Sequence, residues 1–252
     1  MQQSNTYIIV FSAIMTVLIG GIMSLTSVVL KPMQDKQVEL DTKKKILGAV
    51  MDISSYEDPN QILEIYEARV KSIVIDINGN VVETDAKGNP AVAEKINIQK
   101  NHKIDPSDRL FPVFMFTAEG AAEVSSYIFP MFGAGLWDWI SGYLAIESDL
   151  NTIKGMAFDH KSETPGLGAR ITDAEVQNRF AGKKIYNTSS ELVSVKMLKG
   201  EGNPNLSMHE VDGLSGATMT AKGVNSMLEN YLKYYESFIK KNQSQSKVAL
   251  NF

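Results

Sequence analysis

The hydrophobic pattern changes character once, near residue 30. From Tyr7 to Leu30 no residue is charged. That run of roughly 24 residues makes about 36 Å of helix, against a hydrocarbon core of about 30 Å. Its length and the absence of a basic segment before it argue for a retained membrane anchor rather than a cleaved signal peptide or a buried core helix. Gly20, Gly21 and Ser24 put small residues near one face of this helix, which suits either packing on another helix or plain glycine tolerance in lipid. Beyond the span the pattern becomes that of a water-soluble domain. Leu40, Leu47, Val50 and Met51 predict an amphipathic helix, and Asp58–Pro59 is an N-cap and first-turn pair for a second helix through about Arg69.

The alternation of Ile73, Ile75 and Ile77, the Asn78–Gly79 turn and the return through Val81–Val82 predict a hairpin over Ser72 to Thr84. Residues 85–109 are polar and carry no clear period. Further strands are expected at Leu110–Thr117, Val124–Phe129, Gly142–Glu147, Thr152–Phe158 and Leu192–Leu198. Thr172 with Glu175 reads as a capping box for a helix to about Ala181. Val224, Met227, Leu228, Tyr231, Leu232 and Tyr235 fall on one face of a last helix that ends near Lys241. There is no internal repeat. The expected fold class is α+β: one N-terminal transmembrane helix, then a mixed, largely antiparallel domain. We place the anchor in residues 1–36, with the span at about 7–30, and the extramembrane domain in 37–252.

Composition narrows the chemistry. The net charge of −4 argues against a general grip on nucleic acid. With no cysteine, Cys-ligated iron–sulfur clusters, CxxCH haem attachment and disulfides are excluded. The three histidines, His102, His160 and His209, have no metal-ligand spacing, so no metal site is expected. Redox chemistry here would need an organic cofactor.

The informative segment is Asp212-Gly213-Leu214-Ser215-Gly216-Ala217-Thr218-Met219-Thr220, directly before the last helix. Small residues from Ser215 to Ala217 let backbone approach a ligand closely, and free amides at a helix start favour a phosphate. Against a P-loop, Ala221 replaces the second glycine and Gly223 the Ser/Thr. Against a nucleophile elbow, Gly213-Leu214-Ser215-Gly216-Ala217 lacks the final glycine and a feeding strand. From local chemistry alone, a Ser215 helix cap stands beside the phosphate site as an equal reading.

The segment resembles the covalent FMN-attachment motif of bacterial redox pumps, D-x-x-(S/T)-G-A-(S/T), and every position matches. Gly133-Ala134-Gly135-Leu136-Trp137-Asp138-Trp139-Ile140-Ser141-Gly142-Tyr143 and Glu163-Thr164-Pro165-Gly166-Leu167-Gly168 also look like FMN-binding domain motifs. With the single anchor, nearly the whole chain is similar to the C-subunit family of the Na+-translocating NADH:quinone oxidoreductase. The alternatives are the G subunit of the related Rnf-type ferredoxin:NAD+ oxidoreductase, and a structural membrane protein with a vestigial flavin domain.

The resemblance implies an FMN-binding part at about 110–240 and FMN joined by a phosphoester to Thr218. Ser215, Gly216 and Ala217 would surround the phosphate. Thr164 would bond the pyrimidine side of the ring, and Leu136 and Leu167 would pack on its faces. Trp137 is open between ring packing and core, Glu163 between the site and a solvated charge, and His209 between a flavin contact and a satisfied loop histidine. Gly168 shapes the ring-edge loop, and Asp212 either binds a turn amide or presents the motif to the attaching enzyme. The resemblance further implies an electron relay within a bacterial inner-membrane complex, not a complete enzyme, and no catalytic residue in this chain. No GxGxxG follows a strand, and the span carries no charge that would conduct Na+. Implied partners are the other pump subunits, among them a second covalent-FMN membrane subunit, and a flavin transferase. On orientation two arguments oppose each other. Lys31, Lys36 and Lys43 to Lys45 favour the cytoplasm, whereas the resemblance favours an extracytoplasmic, periplasmic FMN domain. The second is preferred, because the charge rule weakens before large domains.

Overall fold

The structure is a computed structural model, and it describes residues 4–56 and 58–249, with side chains through 244. Contacts divide the chain into two compact units on either side of Thr42. The first is the apolar part of one long helix, α1 (Asn5–Gly48). Its large apolar side chains, such as Ile9, Val17, Leu25 and Val28, are exposed along its length. An uncovered apolar surface of this size is unusual in water, and the helix is long and apolar enough to cross a membrane.

The separate amphipathic helix expected after the span is instead the end of α1, while Val50 and Met51 lie in the turn that follows. Pro32 lies within the helix and does not end it. In the second unit Ile46 and Leu47 are fully buried, and Lys45 Nζ meets Asp159 Oδ2 at 2.6 Å.

The second unit continues with α2 (Pro59–Arg69), β1 (Val70–Ile75), the single-turn α3 (Ile98–Asn101), β2 (Phe111–Phe116), β3 (Ser126–Ala134), β4 (Trp139–Glu147) and β5 (Ile153–His160). After these come α4 (Ala174–Asn178), two-residue strands β6 (Lys196–Met197) and β7 (Glu210–Val211), and α5 (Thr218–Ala249). Strands β1 to β5 form an antiparallel meander in sequence order, and β6 and β7 pair in parallel. The fold is therefore α+β with a mixed, largely antiparallel arrangement, as the pattern predicts.

Asp58 caps α2 as expected, accepting a bond from the Asn60 amide. The Thr172–Glu175 capping box does not form. Asp173 is the N-cap residue, and Thr172 Oγ1 donates to the Ala169 carbonyl in the preceding 3-10 turn. The hairpin at Ser72–Thr84 is reduced to β1 and a single bridge from Ile75 to Val81. The strand expected at Leu192–Leu198 shrinks to β6 plus a bridge from Tyr186 to Leu192. The strand expected at Val124–Phe129 runs on to Ala134, because Phe129 and Met131 continue the buried face.

Helix α5 lays Val224, Met227, Leu228, Tyr231, Leu232 and Tyr235 against the sheet, all buried, and runs past Lys241 to Ala249. Burial of each large apolar side chain contributes about 1.5–3 kcal/mol. Glycines set how near the helix comes. A Cβ at Gly133 would lie 2.9 Å from Met227 Cβ, and one at Gly223 would strike the Ala134 carbonyl. The start of α5 is thereby drawn to the end of the β3–β4 hairpin.

Farther along, the β2–β3 register stops at Phe114 and Ile128. Beyond that point each strand carries a proline, Pro112 in β2 and Pro130 in β3, which has no N–H to give a ladder. The Tyr235 hydroxyl shares its one proton between the Pro112 and Pro130 carbonyls, at 3.0 and 3.1 Å.

Candidate functional site

The β3–β4 hairpin turns through Gly135–Asp138, closed by the Gly135 amide on the Asp138 carbonyl at 2.7 Å. Strand β5 runs beside β4 with His160 opposite Ile140, so the residues just after β5 emerge next to this turn. Glu163 comes three residues later and is buried, at 4% exposure. It is not a solvated charge. Its Oε1 accepts from the amides of Leu136 and Trp137 at 2.7 and 3.1 Å, and its Oε2 accepts from Thr220 Oγ1 at 2.6 Å. One carboxylate therefore joins the hairpin turn, the loop after β5 and the first turn of α5.

Other contacts tie the same three segments. The Trp137 indole Nε1 donates to Thr164 Oγ1 at 3.1 Å. Gly216, at φ +76°, sits where a Cβ would lie 2.8 Å from Leu167 Cδ2. Gly168 is buried, and a Cβ there would run into the Glu163 carboxylate and the Thr220 hydroxyl.

Thr218 is the half-buried first residue of α5. The amides of this first turn have no acceptor within the helix, and no acidic residue stands in the turn to use them. Ala217 is buried, and Ser215 and Gly216 are exposed. Leu136, Trp137 and Leu167 are 48%, 69% and 41% exposed, so Trp137 is not a core residue. These uncovered apolar side chains, beside a turn whose amides await an anion, fit a flat aromatic ring carrying a phosphate.

His209 does not join this group. Its Nδ1 is 2.7 Å from the Lys184 carbonyl, the arrangement of a satisfied loop histidine. Asp212 accepts from the Gly202 amide and from both nitrogens of Asn203, at 2.7–2.9 Å. Those bonds, the Asn203 amide first, hold its carboxyl below the usual carboxylate value. Arg179 Nη1 donates to the Gly213 carbonyl at 2.6 Å, and Glu201 lies between Arg170 and Arg179.

A cleft of ≈ 470 Å³ opens on the hairpin half of the site, lined by Leu136, Trp137 and Trp139 together with Phe132, His102 and Lys103. His102 stacks on Tyr231 and approaches its hydroxyl at 3.1 Å. Burial, then the charge of Arg109, keeps His102 below the usual histidine value. Sequence reasoning missed His102 and Lys103, which lie in the stretch without a period, and it assigned no role to Thr220. The signal for Thr220 was the pair of glycines, Gly135 and Gly168, that leave room for a carboxylate. Among the described residues no cluster of His, Asp and Glu is suited to a metal ion.

The family model for the FMN-binding domain matches residues 135–233, which hold all three segments. Fold and site thus define an FMN-binding domain behind an apolar N-terminal helix. The chain is 30% identical over 238 residues to the C subunit of the Na(+)-translocating NADH-quinone reductase of Haemophilus ducreyi, covering 91% of this chain and 87% of that one. The C subunit from Pseudomonas aeruginosa is 27% identical over 248 residues, covering 92% of each. The crystal structure of the C subunit from Parabacteroides distasonis superposes with a TM-score of 0.69 at 33% identity, over 83% of this chain and 96% of that one. The chain belongs to the C-subunit family of the Na+-translocating NADH-quinone reductases. These relatives do not favour the G subunit of a Rnf-type complex.

Proposed function

We propose that this chain is the electron-relay subunit of a Na+-translocating NADH:quinone reductase, with FMN bound through a phosphoester to Thr218 in a domain at about residues 110–240. The observation that carries the reading is the convergence of the hairpin turn, the 163–168 loop and the first turn of α5 through Glu163 and its partners. FMN, when bound, supplies one- and two-electron transfer. The residues of this chain bind and orient it. The first-turn amides of α5 receive the phosphate, with Ser215, Gly216 and Ala217 shaping the turn around it. Leu136 and Leu167 would pack against the ring, Trp137 would help cover it, and the Thr164 hydroxyl would bond its polar rim. Gly168 keeps the loop close. His209 stays outside the site, with its Nδ1 on the Lys184 carbonyl.

The chain works with other pump subunits, including a second covalent-FMN membrane subunit, and is matured by a flavin transferase. It crosses a bacterial inner membrane once, with the FMN domain on the periplasmic side. Protease or impermeant-label access on intact spheroplasts tests the orientation, and labelling only after membrane rupture refutes it.

The attachment is tested by mass spectrometry of a peptide spanning Asp212 to Lys222, which should carry one FMN phosphoryl group. Thr218→Ala should remove all flavin fluorescence that survives denaturation while leaving the domain folded, since a half-exposed hydroxyl contributes little stability. Persistent fluorescence in that variant refutes Thr218 as the attachment point.

A further inference from the structure

Glu163 is the one buried acidic side chain among the described residues. All three of the side-chain bonds described above are accepted, two from backbone amides and one from a hydroxyl that is itself 1% exposed. Burying a carboxylate is costly unless its oxygens are satisfied, so a lone carboxylate at such a junction calls for an explanation. It does not face the open side of the site, where Leu136, Trp137 and Leu167 stand uncovered. It lies behind them, and the two glycines beside it mark the space it takes. A Cβ at Gly135 would strike Oε1, and one at Gly168 would strike Oε2.

We infer that Glu163 is the positioning residue of the flavin site rather than a ligand of the flavin. Through Leu136 and Trp137 it sets the hairpin wall, and through Thr220 it sets the turn that presents Thr218. The gap between Leu136 and Leu167 follows from where this carboxylate holds its two neighbours. The inference rests on the FMN reading above, and it makes a distinction of its own. The role is one of hydrogen-bond geometry, not of charge. A glutamine keeps the same three contacts, with Oε1 taking both amides and Nε2 donating to Thr220 Oγ1, whose own proton turns to a backbone carbonyl of the preceding turn.

The experiment has two arms, both on the full chain. In the Thr218→Ala background, free of covalent flavin, hydrogen exchange is followed at the amides of Leu136 and Trp137. Glu163→Ala should speed exchange about tenfold, the worth of one lost net hydrogen bond, and Glu163→Gln by no more than about twofold. In the flavin-loaded chain, iodide quenching of flavin emission should rise about threefold in Glu163→Ala and stay near wild type in Glu163→Gln, as loosening of a packed wall predicts. Unchanged exchange in Glu163→Ala overturns the inference, as does Glu163→Gln behaving like Glu163→Ala. If Glu163→Ala does not fold, Thr220→Val removes only the Oε2 bond. It should raise quenching about twofold and leave the two amides protected, and wild-type quenching in that variant overturns the link to the attachment turn. Wild-type chain without denaturation-resistant flavin would sink the FMN reading instead, while the exchange arm would still report on Glu163.

Discussion

Two carboxylates flank the turn that opens α5, and they do similar work in opposite settings. Glu163 is buried and joins segments far apart in sequence, 27 residues back to Leu136 and 57 forward to Thr220. Asp212 is reached by solvent and binds residues nine and ten positions away, folding the loop at 202–203 onto the turn. Each accepts three bonds, so bond count does not separate them. What separates them is what replaces the carboxylate when it is lost. Water reaches the partners of Asp212 at once, whereas the partners of Glu163 are left without an acceptor.

The largest effect should follow Glu163→Ala. Leaving amides and a hydroxyl unpartnered is expected to cost about 3 kcal/mol, read as a fall in the urea midpoint with an unchanged slope. A loss no larger than that of Asp212→Ala would break the comparison. Next comes Gly168→Ala, where the added methyl meets the carboxylate and the Thr220 hydroxyl. Overpacking of this kind costs about 2 kcal/mol. It should cost less in the Glu163→Ala background, where the obstacle is gone, and a double-mutant cycle reads that coupling. Additive losses would mean that Gly168 is needed for another reason.

The smallest effect is that of Asp212→Asn, and it depends on pH. Because the folded-state pKa of Asp212 lies below its ordinary value of 3.8, its contribution is fully present above that value and is lost as pH falls through the folded pKa. Wild type should therefore lose thermal stability more steeply than Asp212→Asn below about pH 4, and the two curves should run parallel above it. Parallel curves across the whole acid range would show that Asp212 adds nothing through its charge.

Much of the architecture is legible in the chain itself. The period of Val224 to Tyr235 marks α5 and its buried face, and the apolar run marks α1. The turn before α5 stands out locally as small residues followed by a helix start, but local chemistry alone leaves a helix cap and a phosphate site as equal readings, and only the resemblance separates them. What could not be read depends on tertiary pairing. Strand β3 outruns its expected end and carries Pro130 within it, since a sheet tolerates proline where no ladder amide is needed. Thr172 and Glu175 match a capping box by spacing, but the 3-10 turn before them draws the Thr172 hydroxyl to Ala169 instead. Glu163 was visible as part of a motif, but whether it faced water or the interior turned on Thr220 and on the distant Gly135, together with Gly168 of its own loop. His102 was invisible as a site neighbour, since its place beside Phe132 and Tyr231 arises from the path of a loop without a period.

The exposure of Leu136, Trp137 and Leu167 bears on how such a site holds its cofactor. A site that captures a ligand from solution must enclose it, because affinity comes from surface removed from water. A ligand tethered to the first residue of a helix is present at an effective concentration set by its short linker, on the order of millimolar or above, whatever the walls contribute. With the phosphoester proposed for Thr218, the pocket is released from the task of retention. It can stay shallow and leave an edge of its occupant open to a neighbouring protein, which is the geometry that short-range exchange between subunits requires and that a closed binding pocket would forbid.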